Sequence, residues 1–157
     1  MKSKTCVIPI LGLAVMFVIG SARMLAAAPP DPCSVLTAAQ VSDALGVPVA
    51  DGQHLATTVC QWAPAGASSA KAKKLTVTFQ NARAFEAAKT PVPDAKITKT
   101  PVTGIGDDAV LGTTQGVATV LTVKKGDVVF VVRVFGLPDD QAAAKEKALA
   151  LKILQKI

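Results

Sequence analysis

Residues 128–135, Val-Val-Phe-Val-Val-Arg-Val-Phe, carry apolar side chains onto both sides of any extended chain they form. Side chains alternate faces along a strand, so Val128, Phe130, Val132 and Val134 fill one side. Val129, Val131 and Phe135 make the other side apolar too, broken only by Arg133. A strand greasy on both faces is expected at the centre of a sheet, covered from above and below. The rest of the chain must therefore supply flanking strands and at least two covering layers.

The neighbours fit that demand. Lys125-Gly126 reads as a tight turn joining residues 117–123 to the central strand, and residues 112–116 as a turn leading back from a strand at 109–111, giving a β-meander. After Leu137-Pro138, Asp139 or Asp140 is expected to cap a final helix. Ala143, Ala150, Ile153, Leu154 and Ile157 share its inner face, with Lys145, Lys152 and Lys156 opposite. Glu146 falls within the apolar sector, so the first turn is expected to overhang the core.

Earlier in the chain, Thr37-Ala-Ala-Gln40 fits a capping box. The helix it starts carries Ala38, Val41 and Leu45 on one face and ends at Gly46, with Pro48 preventing its return. From Thr57 the period changes to two, placing Thr58, Cys60 and Trp62 on one face. Residues 63–72 read as a loop. Leu75, Val77 and Phe79 alternate with Thr76, Thr78 and Gln80 in a half-buried strand. Residues 82–89 read as a short helix through Phe85 and Ala88, and residues 90–101 as an irregular crossing with a short strand near Ile97. The order α, β, β, α, β, β, β, α predicts an α+β domain. It is a mainly antiparallel twisted sheet with N-terminal and C-terminal helices packed on it, an α/β/α sandwich-like arrangement.

The N-terminus reads as an export signal. Lys2 and Lys4 precede an uncharged, largely apolar run at 7–22, and Ala26-Ala27-Ala28 offers the small residues needed for cleavage at Ala27 or Ala28. The run falls short of the ~20 residues that span a bilayer. The expected division is a cleaved signal at 1–28, a Pro-rich leader at 29–32 and one domain at 33–157, exported to the periplasm or beyond the cell. A membrane association is expected only if the signal is not cleaved. Lys2, Lys4 and Arg23 belong to the signal, so the formal charge of +6 falls to +3 for the remainder. With that modest charge, no Tyr and one Trp, neither a nucleic-acid surface nor an aromatic stacking platform is expected.

Removing the signal removes Cys6 and leaves Cys33 and Cys60, which in an oxidising compartment are expected to form one disulfide. No Cys-x-x-Cys is present and His54 is the only histidine, so no metal site, cofactor or redox role is expected. Trp62 shares a strand face with Cys60 and is expected to pack beside the sulfurs.

These residues carry a resemblance. Asp31-Pro32-Cys33-Ser34-Val35-Leu36-Thr37, the Leu45-Gly46 helix end and Cys60-Gln61-Trp62 resemble the opening of a family of secreted bacterial proteins and lipoproteins. That family is classed as a domain of unknown function, number thirty-five fifty-eight of its series. Residues 104–109, the Lys125-Gly126-Asp127 hairpin and the closing helix resemble its later half. The resemblance implies a disulfide between the paired cysteines and a cell-envelope location. It brings no catalytic residues, and this chain lacks the lipobox that many members carry.

Other motifs carry little chemistry. Gly104-x-Gly106-x-x-Ala109 has the spacing of a dinucleotide fingerprint, but strand-like sequence follows where a helix is required, so it reads as a turn. Asp107-Asp108 and Asp139-Asp140 lack the alternating oxygen spacing of a calcium loop. Lys71, Lys73 and Lys74 fit a protected strand edge better than a polyanion site. No nucleophile motif surrounds any serine. The expectation is thus a non-catalytic exported domain binding a small apolar ligand or an envelope protein, with Trp62, Phe79 and Phe130 as candidate ligand contacts. The alternatives are an envelope hydrolase using His54 with a carboxylate, and a structural or inhibitory envelope protein.

Overall fold

The computed structural model describes residues 29–67, 69, 71–93 and 96–157. The expected signal, with Cys6, lies outside the described residues. Helix α1 (Ala38–Leu45) opens with the predicted capping box: Gln40 N–H donates to Thr37 Oγ1 at 3.2 Å and Thr37 N–H donates to Gln40 Oε1 at 3.0 Å. It closes on Gly46, whose φ of 67° is left-handed. The strands are β1 (Gln53–Ala56), β2 (Val59–Trp62), β3 (Lys74–Gln80), β4 (Ile97–Pro101), β5 (Asp108–Thr114), β6 (Ala118–Lys125) and β7 (Val128–Phe135). Helix α2 (Ala82–Lys89) joins β3 to β4, and α3 (Asp139–Leu154) follows β7.

All seven strands form one antiparallel sheet in the order β1-β2-β3-β7-β6-β5-β4. The two-sided strand β7 lies at its centre, as its sequence requires. One face carries the main core. Cys60, Trp62, Leu75, Val77, Leu121, Val123, Phe130 and Val132 are fully buried there beneath α1 and α3, which contributes Leu149, Ala150 and Ile153. The opposite face has a smaller core in which Phe85 of α2 packs on Val110 and Val129. The domain is α+β with helices on both faces, but α2 is two turns long and covers only part of its side.

Three expectations are corrected, and one strand lies where the sequence carried no expectation. Residues 53–56 form an edge strand although every one of them is exposed, a pattern with no alternation to read. The turn predicted at 112–116 is shorter: β5 runs through Gly112 to Thr114, and Val117 N–H closes the turn onto Thr114 O. Neither Asp139 nor Asp140 caps α3. Pro138 holds the N-cap position, and Asp139 Oδ2 instead accepts from Gly116 N–H at 2.7 Å, tying the β5–β6 turn to the helix start. Finally, Glu146 does not overhang the core; it is 0% exposed.

The buried glutamate has a backbone cause. The β6–β7 ladder runs from Lys125↔Val128 to Leu121↔Val132 and stops, while β3–β7 pairing continues to Lys74↔Phe135 and β5–β6 pairing to Thr114↔Ala118. The sheet therefore splits between β6 and β7 at this end. A buried N–H without a ladder partner needs another acceptor. Glu146 Oε1 supplies it, accepting from Val134 N–H at 2.9 Å and from Thr119 Oγ1 at 3.0 Å.

Candidate functional site

The cysteine pair forms as expected. Cys33 and Cys60 are bonded, with Cα atoms 5.1 Å apart and a sequence separation of 27. Such a bond fits an oxidising environment. Among the described residues, no helix is long and apolar enough to cross a membrane. Trp62 is 0% exposed and shares a contact with the bridge through Gly52: a Cβ there would lie 2.6 Å from Cys60 Sγ and 2.8 Å from Trp62 Cε2. The absent side chain of Gly52 thus lets the chain pass over both. Gly52→Ala is expected to cost about 1–3 kcal/mol through overpacking, measured as a lowered urea midpoint with an unchanged slope. Unaltered stability would mean that the passing chain shifts freely.

Trp62 and Phe130 are fully buried and offer no surface to a ligand. Phe79 is nearly buried and stacks obliquely on Phe130, ring centroids 6.1 Å apart. It touches a shallow hollow of about 760 Å³ whose rim includes Pro29, Asn81 and Asp127. Trp62, Phe79 and Phe130 belong to one core cluster, and of the three Phe79 alone lines a hollow.

His54 lies on the exposed edge strand β1, and its Nε2 stands 3.3 Å from Asp31 Oδ1 with both side chains about half exposed. The same Asp31 oxygen accepts Cys33 N–H at 2.8 Å. Ser34 Oγ donates to Asp31 O at 2.8 Å, so the hydroxyl beside the pair is engaged with backbone. His54 lines neither the hollow at Phe79 nor the groove described below. Asp31, Cys33 and His54 gather within ligand distance of one another, but the Cys33 sulfur is spent in the disulfide and offers no thiolate.

The remaining singled-out residues serve the fold. Gly104 and Gly106 have φ of 78° and 65° and form a turn that leads into β5, so no helix N-terminus faces them. Asp107 accepts from Gly126 N–H at 2.7 Å and Lys125 Nζ at 3.0 Å; these bonds, the backbone one foremost, hold its carboxyl below the usual range. Asp108 pairs with Lys89 at 2.6 Å, which raises the lysine pKa. Lys73 Nζ caps the end of α1 at Leu45 O, and Lys74 lies over the Phe135 ring.

A site that sequence reasoning missed lies on the α2 side of the sheet, beyond the helix's reach. There a groove of about 350 Å³ is floored by β4, β5 and β6 and bounded by Ala88 of α2 and Arg133 of β7. Its aliphatic lining includes Ile97, Val110, Val117 and Val120, with Ile97 41% and Val117 74% exposed. Gly112 forms part of the floor: Lys99↔Gly112 and Gly112↔Val120 are register pairs, so a position without a side chain lies between a lysine and a valine. A Cβ at Gly112 would meet nothing closer than 3.8 Å, so the space above it is open. The volume falls at the low end of the roughly 300–1,000 Å³ typical of small-molecule sites.

Compared with known proteins, the chain matches no family model, no curated protein and no solved structure.

Proposed function

We propose that this protein is a non-catalytic, exported binding domain of the cell envelope that holds a small apolar ligand in the groove beside α2. The observation that carries the reading is the groove itself: exposed aliphatic side chains on a sheet face whose other half is covered by a helix. Concave, mainly apolar hollows with a few convergent polar groups are the usual form of small-molecule sites. The export half of the reading is supported by the Cys33–Cys60 bond together with the basic, apolar and small-residue order of residues 1–28. Kinship with the secreted family named above remains part of the proposal, supported by the bonding of its two motif cysteines beside Trp62. The hydrolase alternative is less favoured because the His54–Asp31 pair lies on an open strand edge, outside both concave sites.

The test is titration of the full, oxidised chain with the neutral apolar fluorophore N-phenyl-1-naphthylamine. Saturable binding is expected for the wild type and is expected to weaken at least tenfold in Gly112→Val. That substitution fills the floor with a strand-favouring residue and meets no backbone strain. Its melting temperature should match the wild type or exceed it. Absence of saturable binding, or binding that Gly112→Val leaves intact, would overturn the reading.

A further inference from the structure

Among the described residues, the polar groups of the groove are all of one charge sign or neutral. Lys99 and Arg133 line it with Thr114 and Thr122, and among the described residues no carboxylate lines it. The lysine is already engaged: its Nζ donates to Ala88 O at the end of α2, which fixes the ammonium at the groove's edge. Arg133 is different. Among the described residues it has no hydrogen-bond or ion-pair partner on this face, and its Nε is buried and unsatisfied. Its guanidinium is held over the Phe135 ring, 4.6 Å from the centroid, which orients the fork without satisfying its donors.

A half-buried guanidinium with an idle donor at the end of an apolar trough is costly unless something accepts from it. The sheet split explains why it is there. Where β6 parts from β7, Glu146 fills the gap from the α3 side through Val134 N–H. Val134 and Arg133 are adjacent on β7, so Arg133 emerges at the same split on the other face. The trough therefore runs from the exposed aliphatics Ile97 and Val117 toward a fixed cation.

Resting on the binding reading above, we propose that the ligand is a free single-chain amphiphile with an anionic head group, a carboxylate of the fatty-acid type. Its chain lies along Gly112 and Val120, and its head accepts from the Arg133 guanidinium. Planar bidentate pairing of guanidinium with carboxylate is the strongest acceptor arrangement open to that fork.

Displacement of N-phenyl-1-naphthylamine from the full, oxidised chain tests the head group. Dodecanoate is expected to displace the fluorophore at a concentration at least tenfold lower than 1-dodecanol. In Arg133→Met, which keeps the apolar stem, fluorophore binding is expected to persist while the two competitors come within threefold of each other. Equal competition in the wild type, or a dodecanoate preference that survives Arg133→Met, would overturn the head-group assignment while leaving the groove's binding role standing. Failure of the fluorophore to bind at all would remove both. Phosphatidylglycerol vesicles separate the source of the head group. Vesicle association that Arg133→Met abolishes, without displacement by free dodecanoate, would assign the cation to a membrane lipid and overturn the proposal.

Discussion

Replacing Cys33 and Cys60 together by alanine is expected to cost at least roughly 3–4 kcal/mol of stability. A bond closing a 27-residue separation restrains the unfolded chain by that amount in the loop-entropy treatment. Against a total of about 5–15 kcal/mol for a typical domain, this is a large fraction. The effect should exceed the entropic figure rather than fall below it, because Cys60 is fully buried against Gly52 and Trp62 and alanine leaves space there. Guanidinium unfolding of the oxidised wild type and the double variant, followed by Trp62 fluorescence, measures the difference. A loss under 1 kcal/mol would mean that the buried Val35 and Leu36 already hold the N-terminal segment without the bond. A thiol count on the unreduced protein should find Cys33 and Cys60 unreactive.

Much of the architecture could be read from local pattern because local pattern caused it. β7 is central because seven of its eight side chains are apolar on alternating faces, and no edge position satisfies that. α1 begins and ends where its hydroxyl, amide and glycine groups meet orphan backbone groups. Failures came where the cause was not local. β1 is an exposed edge whose pairing with β2 is set by the chain's return through Thr57-Thr58, not by any alternation of its own. Gly112 read as a turn residue because glycine is usually one. Here it is a strand residue, and the space it leaves open contributes to the groove.

The residues expected as ligand contacts went into the core for a related reason. Trp62, Phe79 and Phe130 have the largest apolar surfaces, and the fold spends them on the main core. The groove is assembled from four strands and a helix end, and its key pairing of Gly112 between Lys99 and Val120 exists only once the register is known. The single signal in the sequence was Arg133, the one polar interruption of β7. It marks the face that α2 leaves open.

Glu146 supplies the second large expected effect, and its direction is opposite to that of most carboxylates. Burial raises its pKa from 4.5 to about 7, opposed by the hydrogen bonds from Val134 N–H and Thr119 and by the charge of Arg133. Between those two values the folded chain holds a proton that the unfolded chain has released. Stability therefore falls as pH rises through that window, by roughly 3 kcal/mol in all at about 1.4 kcal/mol per pH unit, and levels off above about pH 7. Glu146→Gln keeps a carbonyl oxygen for Val134 N–H and Thr119 but cannot ionise, so its profile should be flat across the same range. The amide nitrogen inherits the position of Oε2, which has no partner, at a cost of about 1–3 kcal/mol. The variant should accordingly be less stable than the wild type at pH 4.5 and equal or more stable at pH 8. Urea unfolding at half-unit steps from pH 4.5 to 8 would show the two curves converging or crossing. A wild-type curve that rises across this window, or a Glu146→Gln curve that falls with it, would place the ionisation elsewhere. It would then follow that the carboxylate stays charged inside the sheet split, held there by Val134, Thr119 and the guanidinium on the other face.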